Sequence, residues 1–398
     1  MTVVSGTNGH VFGRMRPSDG ESFPISKIPA RDTHFRDLPP PTGKPPFRLD
    51  LKDVLDPVAY QAILTRNKIV FHLNGDMGGI KDAMPQELVA KGMEKDLATA
   101  DTDGSLPQFL YVTGDCVYFN GEIAQYYAQF YQPYELYTRP IFAVPGNHDG
   151  ENLSGAVGTG TTLDGFKRNF CADKPGIKMP ESGDSHRTAM IQPNFYWTLV
   201  TPLCSIVGLY SNVPEGGEIK EPQLSWLINE LKTLPKSIPL LVALHHPPYS
   251  ADDHHSGSAH MRKVIADAAA AAGREPDMVL AGHVHDYQRL SAHRKNGVLV
   301  PHIVVGAGGY HNLHGIMKVN GHKMVTPVDF DAGGGETVRL EKYSDDHHGF
   351  LRVEITKTLI AGQYYEVPRP HEPFSKGSQL LDYWEYDWKK RSWRANKL

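Results

Sequence analysis

Short apolar runs rich in β-branched residues alternate along the chain with segments whose apolar residues recur at helical spacing. The runs are KIVFHLN from Lys68, QFLYVT from Gln108, PIFAVP from Pro140, PLLVAL from Pro239 and DMVLAG from Asp277. Runs of this length and composition are typical of strands with both faces buried. Their alternation with helical segments predicts an α/β domain with parallel or mixed sheets.

Further elements complete this pattern. Helices are predicted over residues 85–100, 121–137, 222–234 and 259–272, the last ending at Gly273. The runs FYWTLV and LCSIVGLY, on either side of Thr201-Pro202, predict an antiparallel hairpin. Three later runs predict strands of a second sheet: PHIVVGAGG from Pro301, GFLRVEIT from Gly349 and LIAGQYYEV from Leu359.

The ends of the chain differ from its middle in composition. Residues 1–66 are rich in Pro and Gly, which favours an extended arm over a packed domain. Residues 67–367 carry the alternating pattern and form the main domain. Residues 368–398 contain an aromatic segment, Tyr383 to Trp393, that we expect to pack on the surface of that domain.

Charge and hydropathy exclude several classes of protein. Lys and Arg total 41 against 45 Asp and Glu, a net charge of -4, so the chain lacks the basic field of proteins that bind nucleic acid polymers or anionic membranes. No window approaches the roughly 18 apolar residues of a membrane span, and the first twenty residues contain no signal-peptide core. A cytoplasmic location is therefore expected unless a leader has been removed. The three widely spaced cysteines are expected to be reduced thiols, and the oligomeric state is left open.

Each of the first five runs is followed at once by a polar cluster. The clusters are Gly75-Asp76-Met77-Gly78, Gly114-Asp115-Cys116-Val117-Tyr118, Gly146-Asn147-His148-Asp149, His245-His246 and Gly282-His283-Val284-His285. Ligands of α/β sheets bind beyond the carboxyl ends of the strands, so five such clusters predict one shared crevice. Carboxylate, phenolate and amide oxygens together with imidazoles suit iron, manganese or zinc.

The ordered motifs GDxG, GDxxY, GNHD, VxxH and GHxH resemble those of the calcineurin-like metallophosphoesterases. The resemblance covers about residues 68 to 310, and the tyrosine of GDxxY is similar to that of the purple acid phosphatase branch. It implies an αββα sandwich in which two mixed β-sheets pack face to face with helices outside, and it makes residues 67–367 a catalytic domain.

The resemblance also implies two metal ions and their ligands. One metal would be held by Asp76, Asp115, Tyr118 and His285, and the other by Asp115, Asn147, His245 and His283, with Asp115 shared. Many members of the superfamily have a histidine where this chain has Gly78, which leaves Tyr118 to replace that imidazole. A tyrosinate ligand calls for a strongly polarising cation, so we expect iron(III) beside a divalent ion of iron, zinc or manganese.

Histidines outside the ligand set receive roles from the same resemblance. His148 would act at the leaving group of the substrate. His254 and His255 match the spacing of a pair that contacts phosphate in the plant-type enzymes, although two adjacent histidines in a polar loop are also compatible with simple solvation. His311 and His314 follow a glycine turn and are expected to border the pocket. The polar stretch 151–193 is expected to form a rim or lid that sets substrate choice.

Together these features predict a dinuclear metal-dependent acid phosphatase. It would hydrolyse small phosphate monoesters by attack of a metal-bound hydroxide, release inorganic phosphate and work best at acidic pH. Two alternatives remain open. One is a phosphodiesterase on the same scaffold, acting on nucleotide or phospholipid-type diesters. The other is a non-catalytic, metal-stabilised binding protein.

Overall fold

The computed structural model describes residues 34–98, 105–151, 162–294, 297–333 and 335–395. Its strands are β1 Arg48–Asp50, β2 Lys68–Asn74, β3 Leu110–Val112, β4 Ile141–Ala143, β5 Trp197–Val200, β6 Ser205–Gly208, β7 Leu240–Leu244, β8 Met278–Ala281, β9 Tyr287–His293, β10 Leu299–Val305, β11 Lys318–Val319, β12 His322–Lys323, β13 Val328–Asp331, β14 Thr337–Ser344, β15 Gly349–Thr356, β16 Leu359–Glu366, β17 Gln379–Asp387 and β18 Ser392–Trp393. Its α-helices are α1 Pro57–Arg66, α2 Met84–Leu97, α3 Asn147–Gly150, α4 Asp164–Phe170, α5 Gln223–Thr233 and α6 Ala259–Ala272.

Two large mixed sheets organise these elements, which confirms the predicted α/β sandwich class. The seven-stranded sheet has the order β18-β17-β16-β15-β2-β3-β4, and the nine-stranded sheet has the order β1-β5-β6-β7-β8-β10-β9-β14-β13. Strands β2, β3 and β4 are parallel to one another, as are β6, β7 and β8. Parallel neighbours bring their carboxyl ends to one edge of each sheet, and the polar clusters follow those ends.

The side chains of β3 alternate between two apolar clusters, one on each face of its sheet. Leu110 and Val112 point into an apolar cluster shared with α2, whereas Tyr111 belongs to the cluster shared by the two sheets. Tyr111 stacks on Trp197 of the nine-stranded sheet, with ring centroids 6.2 Å apart. Because successive side chains of a strand face opposite ways, this short strand packs against a helix on one face and a second sheet on the other.

Most predicted elements agree with the structure, but the three later runs do not form a sheet of their own. The run from Pro301 forms β10 of the nine-stranded sheet, and the runs from Gly349 and Leu359 form β15 and β16 of the seven-stranded sheet. The runs from Lys68 and Gly349 and the helix over 259–272 coincide with β2, β15 and α6, and Ser258 and Gly273 cap that helix at its two ends. The predicted α-helix over 121–137 is wrong in type, because Ile123–Gln125 is a 3-10 turn and Tyr127–Tyr131 a π-helix. This segment is buried on several sides rather than along one stripe, so tertiary packing overrides the α-helical pattern.

Parts of both chain ends join the sheets. Within the predicted arm, Arg48–Asp50 forms the edge strand β1 beside β5, and the Arg48 guanidinium pairs with buried Glu230 of α5 at 2.9 Å. Residues 1–33 lie outside the described residues. Near the other end, β17 pairs with β16 along its length, and its Trp384 is buried. The division at residues 66 and 367 stays a prediction.

Three further expectations concern segments away from the sheets. Cys116, Cys171 and Cys204 are buried and form no disulfide. No helix in the described ranges has the length and apolar character needed to cross a bilayer. Of the predicted rim over 151–193, residues 152–161 lie outside the described residues, and the remainder contains α4, whose Phe166 and Phe170 are buried.

We predict that Trp384→Ala lowers the free energy of unfolding by about 3–5 kcal/mol, because it empties the space of a buried indole. Trp384 is 1% exposed and covers Gly362 of β16 so closely that a methyl group there would meet the indole ring. Urea unfolding followed by circular dichroism measures the change. Leu380→Ala on the same strand, 45% exposed, is the control and should change stability by about 0.5 kcal/mol. Equal effects of the two variants would contradict the burial of Trp384 in β17.

Candidate metal centre

The five polar clusters lie together where the two sheets adjoin. The His283 backbone N–H donates to Asp76 Oδ2 at 2.7 Å, and this bond joins the loop after β8 to the loop after β2 of the other sheet. Asp76, Asp115 and His283 all have left-handed backbone conformations, with φ of 55°, 53° and 68°. Such φ values are costly for residues other than glycine and are concentrated at functional sites. The sharp turns aim these side chains into the space between the sheets.

One group of side chains gathers around Asp76. The Tyr118 hydroxyl donates to Asp76 Oδ1 at 3.1 Å and lies 3.3 Å from His285 Nε2. His285 Nε2 is itself 3.4 Å from Asp76 Oδ1. Asp76 and Tyr118 are fully buried, and His285 is nearly so. A carboxylate, a phenol and an imidazole therefore present their donor atoms to one point.

A second group gathers around Asp115. His245 Nε2 lies 3.3 Å from Asp115 Oδ2 and 3.1 Å from Asn147 Oδ1. It is also 4.0 Å from Asp76 Oδ1, and the donor atoms of Asp76, Asp115 and His245 all lie within 4.8 Å of one another. The His283 ring is 5.1 Å from the His245 ring between centroids. The two groups are therefore contiguous, with Asp115 and His245 beside Asp76.

Backbone carbonyls set the orientation of two imidazoles. His245 Nδ1 is 2.9 Å from the carbonyl oxygen of Thr113, and His285 Nδ1 is 2.8 Å from that of Asn312. Because a carbonyl oxygen only accepts, both Nδ1 atoms carry the hydrogen. Nε2 is then the nitrogen that each ring, when neutral, would offer to a metal ion. Metal-binding histidines have this second hydrogen bond in most proteins.

Glycines make room for these contacts. A Cβ at Gly146 would lie 2.1 Å from Asp115 Oδ1, so no larger residue fits beside the carboxylate. A Cβ at Gly78 would lie 2.5 Å from Gln129 Oε1 and 2.8 Å from Cδ2 of Tyr118. The space that a side chain at position 78 would need is therefore occupied by the tyrosine and the glutamine that holds it.

Buried acidic and basic side chains shift one another's pKa at the site. Burial opposes ionisation of Asp115, but the imidazoles of His245 and His148 outweigh it and hold the carboxyl pKa well below its usual range. Burial also opposes the charge on His245, yet Asp115 and Asp76 raise its pKa to about 9. Burial and the same two carboxylates raise the pKa of the Tyr118 phenol well above 10. A cation in this space would stabilise the ionised forms of Asp115 and Tyr118 and would favour the neutral form of His245.

Residues that support the site were not predicted from the sequence. The Asp149 carboxylate accepts backbone N–H bonds from Cys116, Val117 and Gly146 at 2.9–3.1 Å and so ties the loop of Asp115 to that of Asn147. The Gln129 amide accepts from the Tyr118 backbone N–H at 2.9 Å and donates to its carbonyl at 2.5 Å. Asp149 is part of the GNHD motif, which could have identified it, whereas Gln129 lies in a mispredicted helix.

The predicted histidines outside the ligand set lie at the same site. The His148 ring is 4.6 Å from that of Tyr118, and its Nδ1 donates to the carbonyl of Phe119 at 2.7 Å. The rings of His254 and His255 are 4.6 Å apart, and that of His255 is 4.3 Å from His283. The structure thus brings all ten predicted site residues together: Asp76, Asp115, Tyr118, Asn147, His148, His245, His254, His255, His283 and His285.

The sequence provides weak or no indication that several other side chains lie around the site. The His314 ring is 4.3 Å from that of His285, and the Tyr310 ring stacks on Tyr118 at 4.1 Å. The Glu215 carboxylate lies 3.2 Å from His255 Nδ1 and 3.7 Å from His283 Nε2. Nothing in the surrounding sequence distinguishes Glu215, because its place at the site depends on folding of the loop after β6.

Two mixed sheets that bring oxygen and imidazole donors to their carboxyl edges define a protein of the metallophosphoesterase fold, a fold that implies binding of divalent metal ions. The family model of the calcineurin-like phosphoesterases matches residues 75–287, more than half of the chain. The chain therefore belongs to the calcineurin-like phosphoesterase family. No protein of curated function matches its sequence.

Solved structures share the fold at low sequence identity. A purple acid phosphatase, PPD1, from seeds of yellow lupin (Lupinus luteus) is 16% identical with a TM-score of 0.55, over 80% of this chain and 54% of its own. This chain thus spans about half the length of the lupin protein. GAP50, the anchor in the inner membrane complex of Plasmodium, is 15% identical with a TM-score of 0.52, over 79% and 87% of the two chains. PhoD is 13% identical with a TM-score of 0.51, over 82% and 71%.

We predict that Asp149→Ala loosens the loops of Asp115 and Asn147 and destabilises the protein. It leaves three buried backbone N–H groups without their acceptor, at about 1–3 kcal/mol for each group. A lower midpoint of thermal unfolding and a lower metal content per chain are the expected results. Asp267→Ala, at a side chain that is 62% exposed, is the control and should leave both values near wild type. Unaltered metal content and midpoint in Asp149→Ala would contradict this role.

Proposed function

We propose that the protein is a dinuclear metal-dependent acid phosphatase that hydrolyses phosphate monoesters. The observation that carries this proposal is the contiguity of the two donor groups, in which Asp76, Asp115 and His245 offer ligand atoms within 4.8 Å of one another. Two cations separated by roughly 3.5–4 Å contact one phosphoryl group and stabilise its attacking and leaving oxygens together. Membership of the phosphoesterase family supports the same reaction.

The donor set fits two ions of iron, zinc or manganese. Asp76, Asp115, Tyr118 and His285 would hold one ion, and Asp115, Asn147, His245 and His283 the other. Carboxylate, phenolate, amide and imidazole donors suit iron, zinc and manganese, whereas soft copper(I) or an iron–sulfur cluster would require thiolates. When bound, the ions would activate water as the nucleophile and neutralise charge on the phosphoryl oxygens.

The Tyr118 environment favours iron(III) for one of the two ions. Burial and two carboxylates raise the pKa of its phenol, so the side chain stays protonated at ordinary pH without a cation. A strongly polarising ion reverses this preference, and a trivalent ion does so most effectively. Gly78 supports Tyr118 as a ligand of this ion. Gln129 and the Tyr118 ring lie so close to Gly78 that a larger residue there would displace the phenol. The second ion would be divalent iron, zinc or manganese.

Three histidines would act on the substrate. His148 carries its hydrogen on Nδ1 in the neutral form, so its protonated form has a second N–H at Nε2 for the leaving oxygen. His254 and His255 would donate to the phosphate from the far side of the site, where the His255 ring adjoins that of His283.

Glu215 favours a second candidate, a phosphodiesterase. Its carboxylate lies 3.2 Å from His255 Nδ1, so it offsets the positive charge that this imidazole offers to a phosphate. A dianionic monoester is repelled more strongly by this carboxylate than a monoanionic diester is. Nucleotide or phospholipid-type diesters would then be the substrates, on the same metal ions.

A non-catalytic binding role is the third candidate. GAP50, which has a similar fold, is the anchor in the inner membrane complex of Plasmodium. In the present chain, however, donor residues occupy all seven predicted ligand positions, and His148 lies beside them. A protein that needed the metals only for stability would not require a histidine for the leaving group.

Paired substrates distinguish these candidates. We expect the metal-loaded protein to hydrolyse p-nitrophenyl phosphate at pH 5 with a kcat/KM at least tenfold above that for bis(p-nitrophenyl) phosphate. His245→Ala should be inactive on both and serves as the control for contaminating phosphatases. A higher kcat/KM for the diester would establish the second candidate, and absence of turnover on either substrate would favour the binding protein.

Glu215→Gln sharpens this comparison. Removing the negative charge should raise kcat/KM for the monoester more than for the diester, because the monoester carries the larger charge. Equal changes for the two substrates would argue against Glu215 as the basis of any preference for diesters.

We predict that the iron-loaded protein has a broad visible charge-transfer band that disappears in Tyr118→Phe. The band requires a tyrosinate on iron(III), and the variant loses the phenolate oxygen without a large change in volume. Tyr310→Phe is the matched control, since Tyr310 stacks on Tyr118 at 4.1 Å and lies outside the proposed ligand set. Loss of the band in Tyr310→Phe, or its retention in Tyr118→Phe, would show that the proposed ligand is the wrong tyrosine.

A further inference from the structure

A second cluster of metal-binding side chains lies beside the candidate metal centre. His254, His255 and His314 each offer one ring nitrogen, and these nitrogens lie within 4.8 Å of one another. The ring centroids are separated by 4.6–5.0 Å in all three pairs. Three imidazoles around one point form a ligand set that binds zinc in many proteins.

The backbone around this cluster is held by one buried carboxylate. Asp252 Oδ2 accepts the backbone N–H groups of His254 and His255 at 3.2 and 2.6 Å, and it lies 3.3 Å from His314 Nδ1. The Asp253 N–H donates to the Gly315 carbonyl at 2.9 Å, which ties the two segments together. The three imidazoles therefore come from two segments that these hydrogen bonds hold together.

Charge and donor type indicate what this cluster would bind. The Asp252 side chain is fully buried and sits in contact with the cluster, and the Glu215 carboxylate lies 3.2 Å from His255 Nδ1. Carboxylates behind metal-binding imidazoles favour a bound cation and orient the rings toward it. A donor set of imidazoles suits zinc, copper(II) or nickel(II) and excludes magnesium and calcium, which require oxygen ligands.

We propose that His254, His255 and His314 form a third cation site, which takes a borderline divalent ion such as zinc and blocks the substrate when occupied. The rings of His255 and His314 are each 4.3 Å from a proposed ligand of the dinuclear centre, His283 and His285 respectively. The blocking role rests on the proposed function, in which His254 and His255 contact the phosphate. An ion on these imidazoles removes them from the substrate, so excess zinc inhibits the enzyme.

Metal counting tests the site independently of turnover. The purified protein is equilibrated with a small excess of Zn²⁺, separated from free ion by gel filtration and analysed for metals. We expect the wild type to hold one zinc ion per chain more than His314→Ala. His254→Ala, at an exposed side chain whose loss leaves no cavity, should show the same deficit if the buried variant is unstable. His260→Ala, an exposed histidine in the first turn of α6, should match the wild type.

Equal zinc counts in the wild type and both cluster variants would overturn the third site, whatever the turnover. For the blocking role, the zinc concentration that halves turnover should rise at least tenfold in His314→Ala. Unchanged inhibition in that variant would overturn this role. Failure of the proposed function has a different result, because a protein that hydrolyses neither ester would still differ by one zinc ion between the wild type and the variants.

Discussion

The structure depends on the groups that balance the negative charge of three buried carboxylates. Asp76, Asp115 and Asp149 lie at the edge where the two sheets meet, and all three are at most 1% exposed. Charges buried this deeply are tolerated only when partners replace water. Burial and the charge of Asp115 raise the pKa of Asp149 to about 7, whereas imidazoles keep Asp115 ionised. Backbone N–H groups supply part of the compensation, and the donor geometry indicates that cations supply the rest.

This compensation explains why the backbone at the site is strained. A carboxylate that must face the interior from the first residues after a strand has to leave the extended path sharply, and Asp76 and Asp115 do so with positive φ. Strain of this kind persists only where the surroundings over-determine it. Here the strands β2 and β3 anchor one side of each turn. The Asp115 carboxylate also packs directly against the backbone of Gly146, where any side chain would collide with it. The rigid sheets therefore fix the positions of the donor atoms.

Much of the fold follows from local patterns, and the departures have a common cause. Strand β2 and helix α6 could be read from the sequence to the residue, since each has a clear period and clear boundaries. The segment 121–137 could not, because Gln129 and its aromatic neighbours are buried by contacts with distant parts of the chain. Strand β17 could likewise not be predicted from the sequence, because its burial depends on pairing with β16 rather than on its own composition.

The same distinction applies to the candidate site. The motif residues could be located from their positions at strand ends, but Glu215 and Asp252 enter only through folding of other loops. The adjacent pair His245 and His246 illustrates why residue type alone is insufficient. His245 points its Nε2 at Asp115, whereas His246 Nδ1 lies 2.7 Å from the Ser211 hydroxyl, and burial lowers the pKa of His246 well below 6.5. The two adjacent histidines thus have different electrostatic environments, because His245 lies against the carboxylates and His246 against Ser211.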